Sequence, residues 1–339
     1  MGWLKFVLCL VIILFAGTKL ARYGDAIAEK TGLGRIWVGL LLLAAVTSMP
    51  ELVTGVSSVA LVKLPDLALG TIFGSCLFNL TLLALLDVLY RRTPILSEVS
   101  RTHIVSAGVG ILLVAVAAGS IFAGERFSGL VLGWVGLPSI VILILYLVGT
   151  RLAFRFERRD QSAPQAETFL YTGVSARAVY LRFALAAMAV IGAGIWLSFI
   201  GDEIAETTGW GASFVGSLFM AITTSMPELA VTVATVRLGL LDMAVADILG
   251  ANMLDIVIIT WADLFYTRGP ILFQPRSLVS DAHLITAMVV VIMTFLVIIG
   301  LRFRQRRKTF VVISWYGPLF IGLYIFGAYA LFTSGTGMG

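Results

Sequence analysis

The chain has 339 residues, of which 59% are hydrophobic and 13% charged, and its mean hydropathy is +1.01. A soluble domain of this size would carry about twice that charge, so the composition excludes a soluble fold and predicts an all-α polytopic membrane protein. The net charge of +5 is accordingly read loop by loop, as topology, and gives no argument for nucleic acid.

Ten apolar runs, each long enough to span a bilayer, succeed one another. The first extends from Trp3 to Leu20. Lys5 ahead of it imitates a signal peptide, but Gly24-Asp25 behind it returns as Gly201-Asp202 behind a later run, which marks it as part of a repeat. The second, Trp37 to Leu61, contains Thr47-Ser48-Met49-Pro50-Glu51-Leu52, and the third covers Leu67 to Leu89. The fourth and fifth, Ile104 to Phe122 and Phe127 to Gly149, hold no internal acid. Cys9 and Cys76 both fall in apolar runs, which argues against a disulfide framework. A polar linker, residues 151–178, separates a first half, 1–150, from a second, 179–339.

Spans six to ten cover Val179–Ile200, Phe214–Val236, Met243–Phe265, Leu284–Gly300 and Phe310–Phe332. The hexapeptide recurs as Thr224-Ser225-Met226-Pro227-Glu228-Leu229, 177 residues on, with Gly34, Val38 and Gly39 matching Gly211, Val215 and Gly216. One residue is lost in the next loop. At an offset of 176, Gly74 matches Gly250, Asn79 matches Asp255 and Asp87 matches Asp263. Tyr90, Arg92 and Pro94-Ile95-Leu96 match Tyr266, Arg268 and Pro270-Ile271-Leu272, so the repeats cover about 34–96 and 211–272. Of the 24 Lys and Arg residues, all but Lys5, Lys63, Arg126, Arg268 and Arg276 fall on one side. That side is expected to be cytoplasmic and both termini outside. Five spans per half is an odd number, so the halves must be inverted relative to each other, an arrangement typical of secondary transporters with broken helices near the midplane.

The chemistry concentrates in the duplicated motif. A glutamate in hydrocarbon costs roughly 2.5 kcal/mol or more and is kept where it faces a partner or a water-filled cavity. A kinked helix with one hydrogen-bonded glutamate would explain a single copy; two matching copies point to a cation site. Pro50 has no N–H and its ring clashes with the carbonyl of Val46, and Pro227 does the same to Thr223. The freed carbonyl, the Thr47 hydroxyl and the Glu51 carboxylate lie near one helix face. Oxygens of these three kinds are what calcium and sodium bind. The motif Gly74-Ser75-Cys76-Leu77-Phe78-Asn79 matches Gly250-Ala251-Asn252-Met253-Leu254-Asp255. Ser75 shares a face with Asn79, and Ala251 with Asp255. Two glutamates and Asp255 suit one divalent ion or several monovalent ones, as exchange requires. Asp247, four residues before Ala251, is read evenly as an extra ligand or a helix-to-helix hydrogen bond. Asp25, Glu29, Asp202 and Glu206 are placed near the starts of the second and seventh spans, in helix-terminal or solvated roles. His103 is read as a helix-end residue, and the basic run Arg302 to Lys308 as facing anionic lipid heads.

At these motifs the chain resembles the sodium/calcium exchanger family, whose two α-repeats carry Thr-Ser-x-Pro-Glu followed by Gly-Ser-Asn-x-x-Asn/Asp. The resemblance implies that Glu51 and Glu228 are the central calcium carboxylates, helped by Thr47 and Thr224. It implies that Ser48, Ser225, Ser75, Asn79 and Asp255 serve the flanking sodium sites or the central position. Three departures stand out. Val46 and Thr223 replace the usual glycine, Cys76 replaces the usual asparagine, and Ala251 replaces the usual serine. They bear on the coupling ion, because a proton could take sodium's place at a carboxylate buried among like charges.

The expected protein therefore has ten transmembrane helices in two inverted five-helix repeats and exports Ca2+ against Na+ across the cell membrane. Its partners are those ions and the bilayer, with no cofactor, nucleic acid or obligatory protein partner. A calcium/proton antiporter is the alternative. A gated channel ranks lower, since it gains nothing from two helices broken at one depth. An enzyme ranks lower still, since no nucleophile–base pair or His/Cys metal cluster is legible.

Overall fold

The computed structural model describes residues 2–31, 44–127, 129–160, 175–237, 239–310 and 312–336. Besides one short turn of helix at Ile95–Glu98, the helices are α1 (Gly2–Thr31), α2 (Ala44–Thr47), α3 (Met49–Ala60), α4 (Pro65–Leu89), α5 (His103–Ala123) and α6 (Leu137–Asp160) in the first half. The second half contributes α7 (Ala176–Thr208), α8 (Ala212–Thr224), α9 (Met226–Arg237), α10 (Leu241–Phe265), α11 (Ala282–Phe303) and α12 (Tyr316–Thr336). Eight helices among the described residues are long and apolar enough to cross a membrane, and α8 with α9 makes a ninth span bent by 44°. The start of the second predicted span, up to residue 43, and residues 161–174 of the predicted linker lie outside the described residues.

Several boundaries differ from the sequence reading, the tenth span among them, which begins at Tyr316 rather than Phe310. The fifth span begins at Leu137, ten residues late, because Val131–Leu132 and Val135–Gly136 pair as a short antiparallel hairpin. Gly133 turns that hairpin at φ 68°, a left-handed backbone that glycine adopts without steric cost. A further difference is the length of α1 and α7, 30 and 33 residues. At ~1.5 Å per residue they reach roughly 45–50 Å, well beyond an apolar core of ~30 Å. Asp25 and Glu29 therefore belong to the last turns of α1, and Asp202 and Glu206 to those of α7, rather than to the starts of the following spans. The two long helices pack along each other and are tied by Lys5 Nζ to Glu203 at 2.6 Å.

The centre belongs to α4 and α10, whose apolar windows are 72% and 89% buried against 28% for α1. Small residues let the broken helix α8 touch α4 backbone to backbone. A Cβ on Gly74 would fall 2.4 Å from Ser217 Cα, and one on Gly216 would fall 2.6 Å from the Leu67 carbonyl oxygen.

Matched carboxylates hold the ends of these central helices. Asp87 accepts from the Ile95 N–H at 3.0 Å, the Ser314 N–H at 2.7 Å and the Tyr316 hydroxyl at 2.7 Å. Asp263, its repeat partner, accepts from the Ile271 N–H at 2.7 Å, the Gly136 N–H at 2.8 Å and the Ser139 hydroxyl at 2.7 Å. At the opposite ends, Asp66 faces His283 at 2.7 Å and Asp242 faces His103 at 3.0 Å. These bonds satisfy buried loop N–H groups that would otherwise cost about 1–3 kcal/mol each.

Candidate cation site

Both duplicated motifs break their helices at the serine. Ser48, at φ −77° and ψ 9°, separates α2 from α3, and Ser225, at φ −85° and ψ 12°, separates α8 from α9. Pro50 and Pro227 follow within the first turn of α3 and α9, where proline's fixed φ suits a helix start. Neither proline has an N–H to give the carbonyls of Val46 and Thr223. Each glutamate then lies in the first turn of a helix, where the exposed N–H groups favour negative charge.

The two motifs reach across to each other. Ser225 Oγ donates to Glu51 Oε1 at 2.8 Å, and Ser48 Oγ is 3.4 Å from Glu228 Oε1. Glu51 and Glu228 are both fully buried, as are Thr47 and Thr224. The Thr47 hydroxyl donates to the Ala44 carbonyl at 3.2 Å, and the Thr224 hydroxyl to the Met220 carbonyl at 3.0 Å. A hydroxyl that donates to the helix still carries an oxygen able to accept. Thr223, by contrast, gives its hydroxyl to the Phe219 carbonyl at 2.8 Å.

Where α4 crosses α10, Asn79 Nδ2 donates to Asp255 Oδ2 at 3.3 Å, and Cys76 Sγ lies 3.9 Å from the same oxygen. Asn252 Nδ2 donates to the Cys76 carbonyl at 3.2 Å, and Cys76 Sγ faces the Asn252 carbonyl at 3.7 Å. Asn252 thus clamps the crossing. Asp247 is fully buried, at the position where the first repeat has Thr71. The Thr71 hydroxyl is satisfied by the Leu67 carbonyl at 2.9 Å.

Unpaired oxygens mark the site. Glu51 Oε2, Glu228 Oε2, Asp255 Oδ1, both carboxyl oxygens of Asp247, Asn79 Oδ1, Asn252 Oδ1 and Ser75 Oγ are buried without a hydrogen-bond partner. Most buried polar atoms in proteins are paired, so such a concentration of bare acceptors calls for a positive charge. Among the described residues no three His, Cys, Asp or Glu side chains stand close enough to hold a metal by themselves. An ion here must also take hydroxyl, amide and backbone oxygens, as hard cations do.

The paired His–Asp contacts went unread in the sequence. Asp66 and Asp242 obey the 176 offset, but His103 and His283 stand 180 apart, since the loops before them differ in length.

Residues 1–152 and 178–334 match the sodium/calcium exchanger protein family. The chain belongs to the sodium/calcium exchanger family. The inner membrane protein YrbG of Escherichia coli is 30% identical over 280 residues, 77% of this chain and 79% of its own. The sodium/calcium exchanger MaX1 of Methanosarcina acetivorans is 23% identical over 331 residues, 87% of this chain and 91% of its own. Among solved structures, NCX_Mj soaked with Na+ and Sr2+ superposes with a TM-score of 0.61 at 21% identity, covering 97% of each chain. Native YfkE gives 0.66 at 18% identity, covering 98% of this chain and 93% of its own. At these identities the superpositions establish the fold. This exchanger-family chain is a membrane protein with transmembrane helices, of a family that transports ions.

Proposed function

We propose that this exchanger-family chain is a secondary antiporter that exports Ca2+ in exchange for Na+, by alternating access at a carboxylate site near the middle of the bilayer. It has ten spans in the cell membrane, with both termini outside and the halves 1–150 and 179–339 inverted about the linker. Glu51 and Glu228 bind Ca2+ with Thr47, Thr224 and the carbonyls of Val46 and Thr223. Ser48, Ser225, Ser75, Asn79 and Asp255 bind Na+, and Asp247 adds negative charge behind them. The observation that carries this reading is the reciprocal pairing of Glu51 with Ser225 and of Glu228 with Ser48, each glutamate keeping one bare oxygen in the protein interior. One carboxylate set that suits either a divalent ion or several monovalent ions lets the two compete, and competition at one site is exchange.

Proton coupling is the second reading. Ala251 removes a hydroxyl from the face shared with Asp255, which weakens the case for a full set of sodium ligands. The test is Ca2+ uptake into sealed vesicles under an imposed Na+ gradient and, separately, an imposed pH gradient. Uptake driven by outward Na+ supports the main reading. Uptake indifferent to Na+ and driven by pH leaves the calcium site standing and replaces the counter-ion.

A further inference from the structure

We infer that Cys76 makes one end of this ion site a sulfur–oxygen site, so that thiophilic divalent cations, with cadmium as the probe, bind between Cys76 and Asp255. The inference rests on the reading that Asp255 belongs to the ion path. Cys76 is fully buried on α4, and its sulfur is 3.9 Å from Asp255 Oδ2 on α10. Asp255 is also fully buried, and its Oδ1 has no partner; the same is true of Asn79 Oδ1 one turn from Cys76. The Asn252 carbonyl, 3.7 Å from the sulfur, adds an oxygen. The second repeat has the amide Asn252 where the first has the thiol, so only one of the two matched positions offers sulfur.

The spacing fits a metal. With zinc's metal–sulfur and metal–oxygen bonds of about 2.3 and 2.1 Å, a tetrahedral ion needs its sulfur and oxygen about 3.6 Å apart, and the larger cadmium ion needs slightly more. Cys76 and Asp255 have only to close by a few tenths of an ångström. Sulfur adds little for a hard ion such as calcium and much for a soft one. As the metal–sulfur bond forms, the S–H bond breaks and one proton leaves for solvent with each ion bound; no electron is transferred.

The experiment uses the full chain and cadmium chloride. In detergent, ultraviolet absorption reads the thiolate-to-cadmium charge-transfer band. In sealed vesicles, block of Ca2+ uptake by Cd2+ is compared with block by Mn2+, a harder ion. The wild type and Cys9→Ser should show the band, because Cys9 lies away from the site with its thiol on the Ala193 carbonyl. Cys76→Ser and Cys76→Asn should lose it, and their half-blocking Cd2+ concentration should rise about tenfold or more while that of Mn2+ holds. Two cysteine-76 variants guard against one that misfolds. A band that survives both substitutions, or Cd2+ and Mn2+ potencies that shift together, overturns the inference. If the chain carries no Ca2+, absorption alone decides the matter. Normal Ca2+ uptake without the band overturns the thiol site and leaves the antiport reading intact.

Discussion

Glu51 and Glu228 each surrender one oxygen to a serine of the opposite repeat and keep the other bare, so each serves the partner motif as well as its own. A charge at ~4 Å and an effective dielectric of ~20 is worth about 4 kcal/mol to a monovalent ion and twice that to a divalent one. Glu51→Gln and Glu228→Gln are each expected to lower Ca2+ transport at least about a hundredfold while leaving expression intact; near-normal flux in either would remove that residue from the calcium site. Asp255→Asn should disturb the Na+ dependence more than Ca2+ binding, since Asp255 is bonded to Asn79 rather than to either glutamate. Ala251→Ser restores one hydroxyl on the face of Asp255 and should raise apparent Na+ affinity several-fold under sodium coupling. Flux measured against Na+ at two pH values reads this directly, and under proton coupling the substitution changes nothing.

The elements are positioned by two devices, close glycine contact and buried carboxylate caps. Gly74→Ala would drive a methyl into the backbone of Ser217. Such overpacking costs about 1–3 kcal/mol, and because α8 leads into the Ser225 break it should also impair transport more than stability. The caps allow a sharper comparison. Asp87 and Asp263 hold matching loops, but among the described residues only Asp87 also has a cation, Lys308, whose Nζ is 3.5 Å away and whose side chain is 6% exposed. Asp87→Asn leaves that lysine with only the carbonyls of Asp87 and Val312 and no counter-charge, and breaking a buried ion pair costs about 3–5 kcal/mol; Asp263→Asn loses hydrogen bonds worth about 1–3 kcal/mol. Thermal unfolding in detergent should therefore fall clearly further for Asp87→Asn. Equal losses would show that Lys308 contributes nothing at this end.

At the scale of the whole molecule, three contacts in one half have counterparts in the other: Glu51–Ser225 with Glu228–Ser48, Asp87–Ile95 with Asp263–Ile271, and Asp66–His283 with Asp242–His103. Equivalent halves that cap each other's helices suit a transporter that must open to each side in turn. In the proposed arrangement of five spans per half, the matched ends would fall on opposite faces of the membrane. Cysteines introduced at Arg306 and at Arg126 on a background lacking Cys9 and Cys76 test this with a membrane-impermeant maleimide. In right-side-out vesicles the first should stay unlabelled and the second should react; labelling of both or the reverse pattern contradicts the orientation.

Much of this was determined by the sequence alone, because membrane burial makes polar residues conspicuous. Glu51, Glu228 and Asp255 stand out in apolar runs, and Pro50 and Pro227 locate both helix breaks to within two residues, since a missing N–H acts locally. The duplication even pairs Asp87 with Asp263. What one-dimensional order could not supply is which oxygen meets which donor. That Ser225 bonds Glu51 rather than its neighbour Glu228 depends on the two breaks meeting, that Cys76 faces Asp255 depends on α4 crossing α10, and that His283 answers Asp66 depends on α11 packing against α4. The hairpin at 131–136 was hidden for a related reason: its apolar residues have the composition of a span, and only the Gly133 turn and the cap from Asp263 decide against helix there. Local chemistry in the chain specifies which residues must be paired; packing between distant helices specifies with what.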